Sequence, residues 1–570
     1  MSRILIEKAR RLLERETGTI YGPLEGRLRF ALAFPGPYRL GMSSLGFQIV
    51  YGLLNSIPGV ACERVFLPDP EDVREFRRSR TRLFSSESQT PLAEFDVLAF
   101  SISYELDYTN LAQILDLAGL AIFAADRDES HPLVIAGGPC ATFNPEPLAE
   151  IVDAFAIGDA EEMVGEMAQA IQHARSADRE ALLAALSGVA GVYVPRFYVP
   201  RYNADGTCAG MDVLPPAPER VQKRIARDLD RFSNLSVILT PEAEFSGMLL
   251  AEVSRGCGRL CRFCVAGYAG LPPRPRQIGA LPEGARVGLV GSAVFDHPEA
   301  QAICARLTGE GRQLSVSSIR IESLTDELAG MMYRGGQRTM TIAPEAGTER
   351  LRRVINKPTT DEEVLDAARM AAQAGFARLK LYFMVGLPTE TSEDVESIVD
   401  LVRQIADQHP SLRMQASVSC YVPKPWTPFQ WCPVAPEQDL VRKLARIRKG
   451  LGQDKRVELT AESPREAHVQ AWLARGDRRL GRVIAAAADQ GLGYERAAAG
   501  LGIDTSFYAS RQRDRKEIFP WDHIDLLVTK DYLWEEYMRA FEGRVTPGCT
   551  VGSCTRCGVC RASPPPQEPV

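Results

Sequence analysis

The chain alternates short apolar runs with helix-length amphipathic segments twice over, and no other feature narrows its folding as much. From about residue 27, "RLRFALAFPG", "FDVLAFSIS" and "PLVIAGGP" read as strands, with "SSLGFQIVYGLLNSI" and "YTNLAQILDLAGLAIFA" as helices between them. Strand, helix, strand in this rhythm predicts a doubly wound parallel sheet, because each crossover lays a helix on the sheet. A second series starts near residue 246 with "MLLAEVS", "ARVGLVGSAV", "QLSVSSIRI", "RTMTIAPEA", "ARLKLYFMVG" and "RMQASVSCYVP". Six strand–helix units in one stretch suit a parallel barrel, complete or partial, better than another open sheet. Reactive residues then belong in the loops after the strands.

The expected class is α/β: a flavodoxin-like doubly wound parallel sheet, a partial (β/α)6 barrel, and a helical C-terminal region with a Cys-rich tail. The expected boundaries are a helical lead at 1–26, the first α/β domain at 27–179, a connector at 180–245 and the barrel at 246–433. A helical region at 434–545, without a further strand series, and a cysteine segment at 546–562 follow. The last residues, 563–570, "SPPPQEPV", read as a disordered tail. At 570 residues the chain has room for three or four cores of about 150 residues each. A formal charge of −6 argues against general coating of nucleic acid or anionic membrane. No apolar run approaches the roughly 20 residues that cross a bilayer. The opening "MSRILIEKARRLLERE" is charged throughout, without a signal-peptide core, so a cytoplasmic location is expected.

Thirteen cysteines, an odd count in a large chain, do not make a disulfide framework. Seven fall in two tight groups: Cys257, Cys261 and Cys264, then Cys549, Cys554, Cys557 and Cys560. Cys62, Cys140, Cys208, Cys304, Cys420 and Cys432 are isolated and read as small buried hydrophobes. The first group lies in "EVSRGCGRLCRFCVAGY", right after the first strand of the second series. Zinc would normally complete itself with a fourth protein ligand, usually from a second Cys/His pair some distance away. No Cys/His pair accompanies this loop, and His297 lies in a separate strand–loop unit. An iron–sulfur cluster is the stronger reading, since three thiolates can hold it while one iron is left to an exchangeable ligand.

With Phe263 before its last cysteine, C-x3-C-x-F-C resembles the signature of the radical S-adenosylmethionine (SAM) superfamily. The resemblance implies a 4Fe-4S cluster whose open iron chelates SAM. It also implies an electron donor such as flavodoxin or ferredoxin, reductive cleavage to methionine and a 5′-deoxyadenosyl radical, and oxygen sensitivity. Other segments match in register. "GLVGSA" (Gly291, Ser292) resembles the loop for the SAM amino group. "SVSSIRIES" (Ser318, Arg320) suits the carboxylate and ribose, and "APEAGTERLRRVINK" (Glu345, Gly347) the ribose and methionine part. "FMVGLPTET" (Gly386, Leu387, Pro388) resembles the turn under the adenine. Each has a plainer reading: Gly291 as a tight turn, Glu345 as a helix cap, Arg320 in a structural ion pair.

Residues 27 to 175 resemble the cobalamin-binding-like domain of one branch of the superfamily, and "SCYVPKPWTPFQW" resembles that branch's sixth-strand exit. "GGPCATFNPEPLAEIVDAFAIGDAEE" is similar to its "GGPH" loop and acidic segment. Cys140 stands where many relatives have His, and no D-x-H-x-x-G motif offers an axial imidazole. Ser101, Ser103, Gly137 and Gly138 could floor a flat ligand such as cobalamin or be packing residues of a scaffold; both readings stand. "CTVGSCTRCGVC" is similar to ferredoxin loops and implies a second iron–sulfur cluster, with structural zinc as the alternative.

The leading function is a radical SAM enzyme of unknown substrate, a methyltransferase if cobalamin is bound. RNA or a ribosomal partner, methylated or methylthiolated, is the alternative substrate class. It rests on Arg442, Lys443, Arg446 and Arg448 and on "RQRDRKE", against solvated helix faces. An electron-transfer or regulatory iron–sulfur protein is the non-enzymatic alternative, which SAM-like loops in register disfavour. Lys380, Tyr382 and Tyr421 are candidate general bases.

Overall fold

The computed structural model describes residues 2–175, 178–317, 319–489 and 493–562. Ser318 and the tail 563–570 lie outside the described residues. The chain forms two compact units. The first holds Met1–Met248, Trp472–Tyr508 and Lys516–Leu526; the second holds Leu249–Ala471, Ala509–Arg515 and Leu527–Val570. The stretch 434–545 is thus divided between them.

The sheet of the first unit comprises β1 (Leu28–Phe34), β2 (Val60–Phe66), β3 (Val97–Ser101), β4 (Leu133–Gly137), β5 (Ala154–Ala156) and β6 (Val192–Tyr193). Their order is β2-β1-β3-β4-β5-β6. The first five are parallel and β6 runs antiparallel to β5. This is the flavodoxin-like order, whose topological switch falls between β1 and β3. The helix Leu45–Ser56 starts where the Ser44 hydroxyl accepts the Phe47 amide, and it packs on β2, with the Phe47 ring against that of Phe66.

Every residue of β2 is buried, including Glu63 and Arg64. Charges are tolerated there because they are paired. Arg64 Nε donates to Glu87 at 2.7 Å and Nη2 to Glu16 at 2.7 Å, while the Ser85 and Ser88 hydroxyls donate to Glu63. The connector contributes a hairpin, Tyr198–Tyr202 against Cys208–Val213. Residues from the C-terminal third complete this unit. Helix Leu480–Asp489 packs on Tyr108–Ala118. Asn144 Nδ2 donates to the carbonyls of Ala474 and Gly476, and Arg478 Nε donates to Glu146 at 3.0 Å.

In the second unit β7 (Met248–Glu252), β8 (Arg286–Val290) and β9 (Leu314–Val316) form one run. β10 (Thr339–Glu345), β11 (Arg378–Val385), β12 (Arg413–Cys420) and β13 (Val457–Ala461) form another. A parallel bridge between Ile319 and Ile342 joins the two runs. The pairs β8–β9 and β10 through β13 are parallel. Reciprocal capping boxes, Thr360 with Glu363 and Thr391 with Asp394, start the helices Asp361–Ala374 and Ser392–Gln408.

The helical reading of 434–545 is corrected by the short strand Ile524–Asp525 and by β13. Strand β13 is at the end of its run, half exposed and polar at Glu458 and Thr460, so it leaves no apolar run to read. No helix among the described residues is long and apolar enough to cross a membrane.

Candidate functional site

The loop that carries the first three cysteines is closed by backbone at its base. Ser254–Arg255 pairs antiparallel with Arg274–Pro275. Gly256 has φ +76°, and a Cβ there would lie 2.0 Å from the carbonyl oxygen of Gly270. Only glycine fits such a crossing. Inside the loop the Cys264 amide donates to the Cys261 carbonyl at 3.0 Å, and the buried Tyr268 hydroxyl donates to the Leu260 carbonyl at 2.9 Å. Asn356 Nδ2 donates to the carbonyls of Arg259 and Leu260, tying the loop to the segment after β10.

Arg262, between the second and third cysteines, is fully buried. Its guanidinium donates to Glu536 at 3.1 Å and to the carbonyls of Val354 and Arg544 at 2.9 and 2.7 Å. Phe263 packs against a core cluster that includes Leu351, Ile355, Leu387 and Tyr421. A lone buried guanidinium is costly, so this full set of acceptors is what holds the loop in one conformation.

Burial raises the thiol of Cys257, that of Cys261, and that of Cys264 to about 12. The Cys264 thiol feels both Cys261 and Cys257, and the Cys261 thiol feels Cys257, so the three are neighbours in charge. Among the described residues no three His, Cys, Asp or Glu side chains gather closely enough to hold one ion. A cluster does not ask for that: its thiolates bind separate irons. Binding must displace the thiol protons, and cations beside the loop favour that step. Lys357 and Arg320 both pull the Cys261 thiol down.

Five of the expected site residues meet here: Arg320, Glu345 and the three cysteines. Lys357 Nζ lies 3.0 Å from Glu345 Oε1, and Arg320 Nη2 lies 3.1 Å from Glu322. Burial pushes the Glu322 carboxyl up, but Arg320, Thr359 and Lys357 outweigh it and leave it lowered. Glu345 has φ +69° at a break in the β10–β11 register. A bulky residue held there is strained, and such strain collects at functional positions. Lys357 and Glu322 were not singled out in the sequence. The only signal was their place beside quoted motifs, "VINK" and "SVSSIRIES".

The remaining expected residues divide. Gly291 is half-buried, and a Cβ there would meet the Ser254 hydroxyl at 2.6 Å; Ser292 is exposed. Gly347 lies under helix Ser392–Gln408, with a Cβ position 2.2 Å from the Asp394 carbonyl, so packing alone requires it. Gly386 has φ +88°, and its amide donates to Glu390, which pairs with Lys443. Leu387 is buried and Pro388 half-buried. Arg442 pairs with Asp439 and Arg446 with Glu396, so the basic helix face is largely answered by carboxylates. Tyr421 is buried in the core, while Lys380 sits over the exposed ring of Tyr382 at 4.8 Å.

In the first unit Gly138 has φ +99°, and a Cβ there would meet the Ile102 carbonyl oxygen at 2.6 Å. Gly137 would meet only Ala156, at 3.6 Å. Ser101 is half-buried and Ser103 exposed, so the tips of β3 and β4 form a surface with little side chain. Cys140 is buried.

Residues 46–195 match the family described as radical SAM proteins, N-terminal, and residues 251–402 match the radical SAM superfamily. An uncharacterised protein of Methanocaldococcus jannaschii is 28% identical over 468 residues, covering 80% of this chain and 90% of that protein. An uncharacterised methyltransferase of Pyrococcus horikoshii is 24% identical over 301 residues, 49% of this chain and 60% of that protein. Among solved structures, the radical SAM methyltransferase TsrM of Kitasatospora setae with cobalamin and a 4Fe-4S cluster is similar at 15% identity and a TM-score of 0.47. That comparison covers 72% of this chain and 80% of TsrM. The score is too low to carry an argument. The three-cysteine loop and the two family matches meet in one conclusion: the chain belongs to the radical SAM superfamily of enzymes.

Proposed function

We propose that this enzyme cleaves SAM reductively at a 4Fe-4S cluster held by Cys257, Cys261 and Cys264. When bound, the cluster supplies an open iron for the amino-acid end of SAM and the electron that splits its carbon–sulfur bond, giving methionine and a 5′-deoxyadenosyl radical. The chain supplies position and charge. Arg262 and Asn356 fix the loop from beneath. Lys357 and Arg320 offset the negative charge of the thiolates, and Glu345 and the half-buried edge at Gly291 are placed to orient the nucleoside sulfonium. The observation that carries this reading is the single loop of three thiols, closed at its base by paired backbone, with the charges of Lys357, Arg320 and Glu345 acting on Cys261. Anaerobically reconstituted protein with dithionite and SAM is expected to release 5′-deoxyadenosine. A loaded cluster with no release overturns the reading.

A methyl-transfer branch of this chemistry is favoured by the first unit. Its flavodoxin-like strand order and its bare tips at Ser101, Gly137 and Gly138 suit a flat corrin. The buried Cys140 stands where many relatives of that branch have His, and it offers no imidazole. Cobalt content and the visible spectrum of protein refolded with hydroxocobalamin test this; protein that emerges cobalt-free rejects it. The pairing of Arg442, Lys443 and Arg446 with carboxylates weakens the reading of an RNA substrate.

A further inference from the structure

The four C-terminal cysteines are the one chemistry-bearing motif that the proposed reaction does not use. The structure ties their segment directly to the first cysteine loop. The Cys549 amide donates to the Gly258 carbonyl at 2.7 Å, one residue from Cys257. Just before it, the Thr546 amide donates to Asn356 Oδ1 at 2.8 Å, and Asn356 Nδ2 returns a bond to the Thr546 carbonyl. Asn356 is the same residue that holds Arg259 and Leu260. Arg262 completes the seam through Glu536 and the Arg544 carbonyl, and Thr546 Oγ1 also donates to Glu536.

The far end of the segment is anchored as well. The Thr529 amide donates to the Cys557 carbonyl at 2.9 Å, and Cys557 and Val559 are buried. Gly558 has φ +99°, with a Cβ position 3.0 Å from the Leu527 carbonyl oxygen. Arg556 Nε reaches the Cys554 sulfur at 3.5 Å. A loose tail has none of these bonds.

Cys549 is joined to the first loop by its backbone amide, and its own short segment supplies three further thiols, Cys554, Cys557 and Cys560. Zinc is more often held by two separated C-x2-C knuckles than by one overlapping run. The overlapping C-x2-C-x2-C turns suit a cubane, whose irons separate the sulfurs.

We propose that Cys549, Cys554, Cys557 and Cys560 hold a second, fully thiolate-bound iron–sulfur cluster, and that this cluster is the electron inlet of the first. The first clause stands on this segment alone; the second rests on the proposed SAM cleavage. In each turnover a reduced flavodoxin- or ferredoxin-class protein is oxidised by one electron. That electron reduces the second cluster and passes across the Cys549–Gly258 contact to the first, which is reduced as the second is reoxidised. No proton or atom is transferred in the relay.

Metal analysis and electron paramagnetic resonance of anaerobically reconstituted full-length protein test the site. Wild type is expected to hold about eight irons per chain, and Cys257→Ala/Cys261→Ala/Cys264→Ala about four, with a reduced-state signal that SAM does not alter. An iron-free triple variant, or one zinc per chain in it, overturns the site whatever becomes of SAM cleavage. The relay is tested on Cys554→Ser, and on Cys554→Ala/Cys557→Ala should the single change retain the cluster. Each is checked for an intact first cluster by its SAM-sensitive signal. Deoxyadenosine formation should fall about tenfold or more with reduced flavodoxin yet persist with dithionite, a small reductant that can reach the first cluster directly. Equal rates relative to wild type with both reductants overturn the inlet role.

Discussion

The tips of the two parallel sheets are made of opposite materials. In the first unit β3 and β4 end in Ser101 and Gly137, and the next residues offer Ser103 and Gly138. In the second unit β7 leads into three thiols, the segment after β9 presents Arg320, and β10 and the turn after the next helix present Glu345 and Lys357. The same strand–helix rhythm thus builds a surface that a ligand can meet only by shape, and one that it meets by charge and sulfur. Chemistry is concentrated in the second, and the first should tolerate change at its tips without loss of radical formation.

The contrast breaks most sharply at the thiols. Cys261→Ala should reduce deoxyadenosine formation to the protein-free background and remove the first cluster's irons, with unfolding by urea little changed. Turnover surviving in that variant would move the reactive centre elsewhere.

Acid should act on the first unit next most strongly. Burial holds the His523 imidazole down at about 4 against an ordinary 6.5, only partly offset by Glu146, whose carboxylate lies 3.7 Å away. The unfolded chain takes up a proton below pH 6.5 that the folded unit refuses until about pH 4. Stability is therefore full above 6.5 and declines as pH falls, by about 3 kcal/mol across that window. Glu146, held below the usual range chiefly by Arg478 against its own burial, loses its contribution in the same direction. Urea midpoints measured from pH 7 to pH 4.5 should fall in wild type and fall less in His523→Leu.

Lys357→Met removes the partner of Glu345 and one cation beside Cys261, without touching a sulfur. Deoxyadenosine formation should drop about 10- to 100-fold, the range seen when groups that support metal ligands are lost. A KM for SAM that rises with little change in kcat would place Lys357 with Glu345 in SAM binding. A fall in iron content would place it with the cluster.

The smallest effects sharpen the comparison. Gly138→Ala forces a Cβ against the Ile102 carbonyl and should cost about 1 to 3 kcal/mol. Gly137→Ala meets only Ala156 at an ordinary distance and should stay within about 0.5 kcal/mol. Neither should slow SAM cleavage. If Gly137→Ala did, the first sheet would be part of the reactive centre.

Local patterns made the strand rhythm and both cysteine groups legible, since each lies within one short stretch. What stayed hidden depends on residues far apart in sequence. Arg262 meets Glu536 across 274 positions, and nothing near Arg262 announces that carboxylate. Lys443 and Arg446 read as a basic surface until Glu390 and Glu396 are brought to them by another helix. Gly347 sits in a motif that resembles a SAM contact, yet its smallness is required by the helix above it. Strand β13 hides because its five residues, Val457–Ala461, alternate apolar and polar in a largely exposed strand, without the continuous apolar stretch that marks the buried strands.

The central claim is an iron site that no residue of this chain occupies. The Mössbauer spectrum of protein enriched in iron-57, carrying only the Cys257, Cys261 and Cys264 cluster, tests it most directly. Addition of SAM should separate one iron from the rest by raising its coordination number, while the others keep their thiolate signature. A spectrum unchanged by saturating SAM, with the cluster intact, would contradict the account.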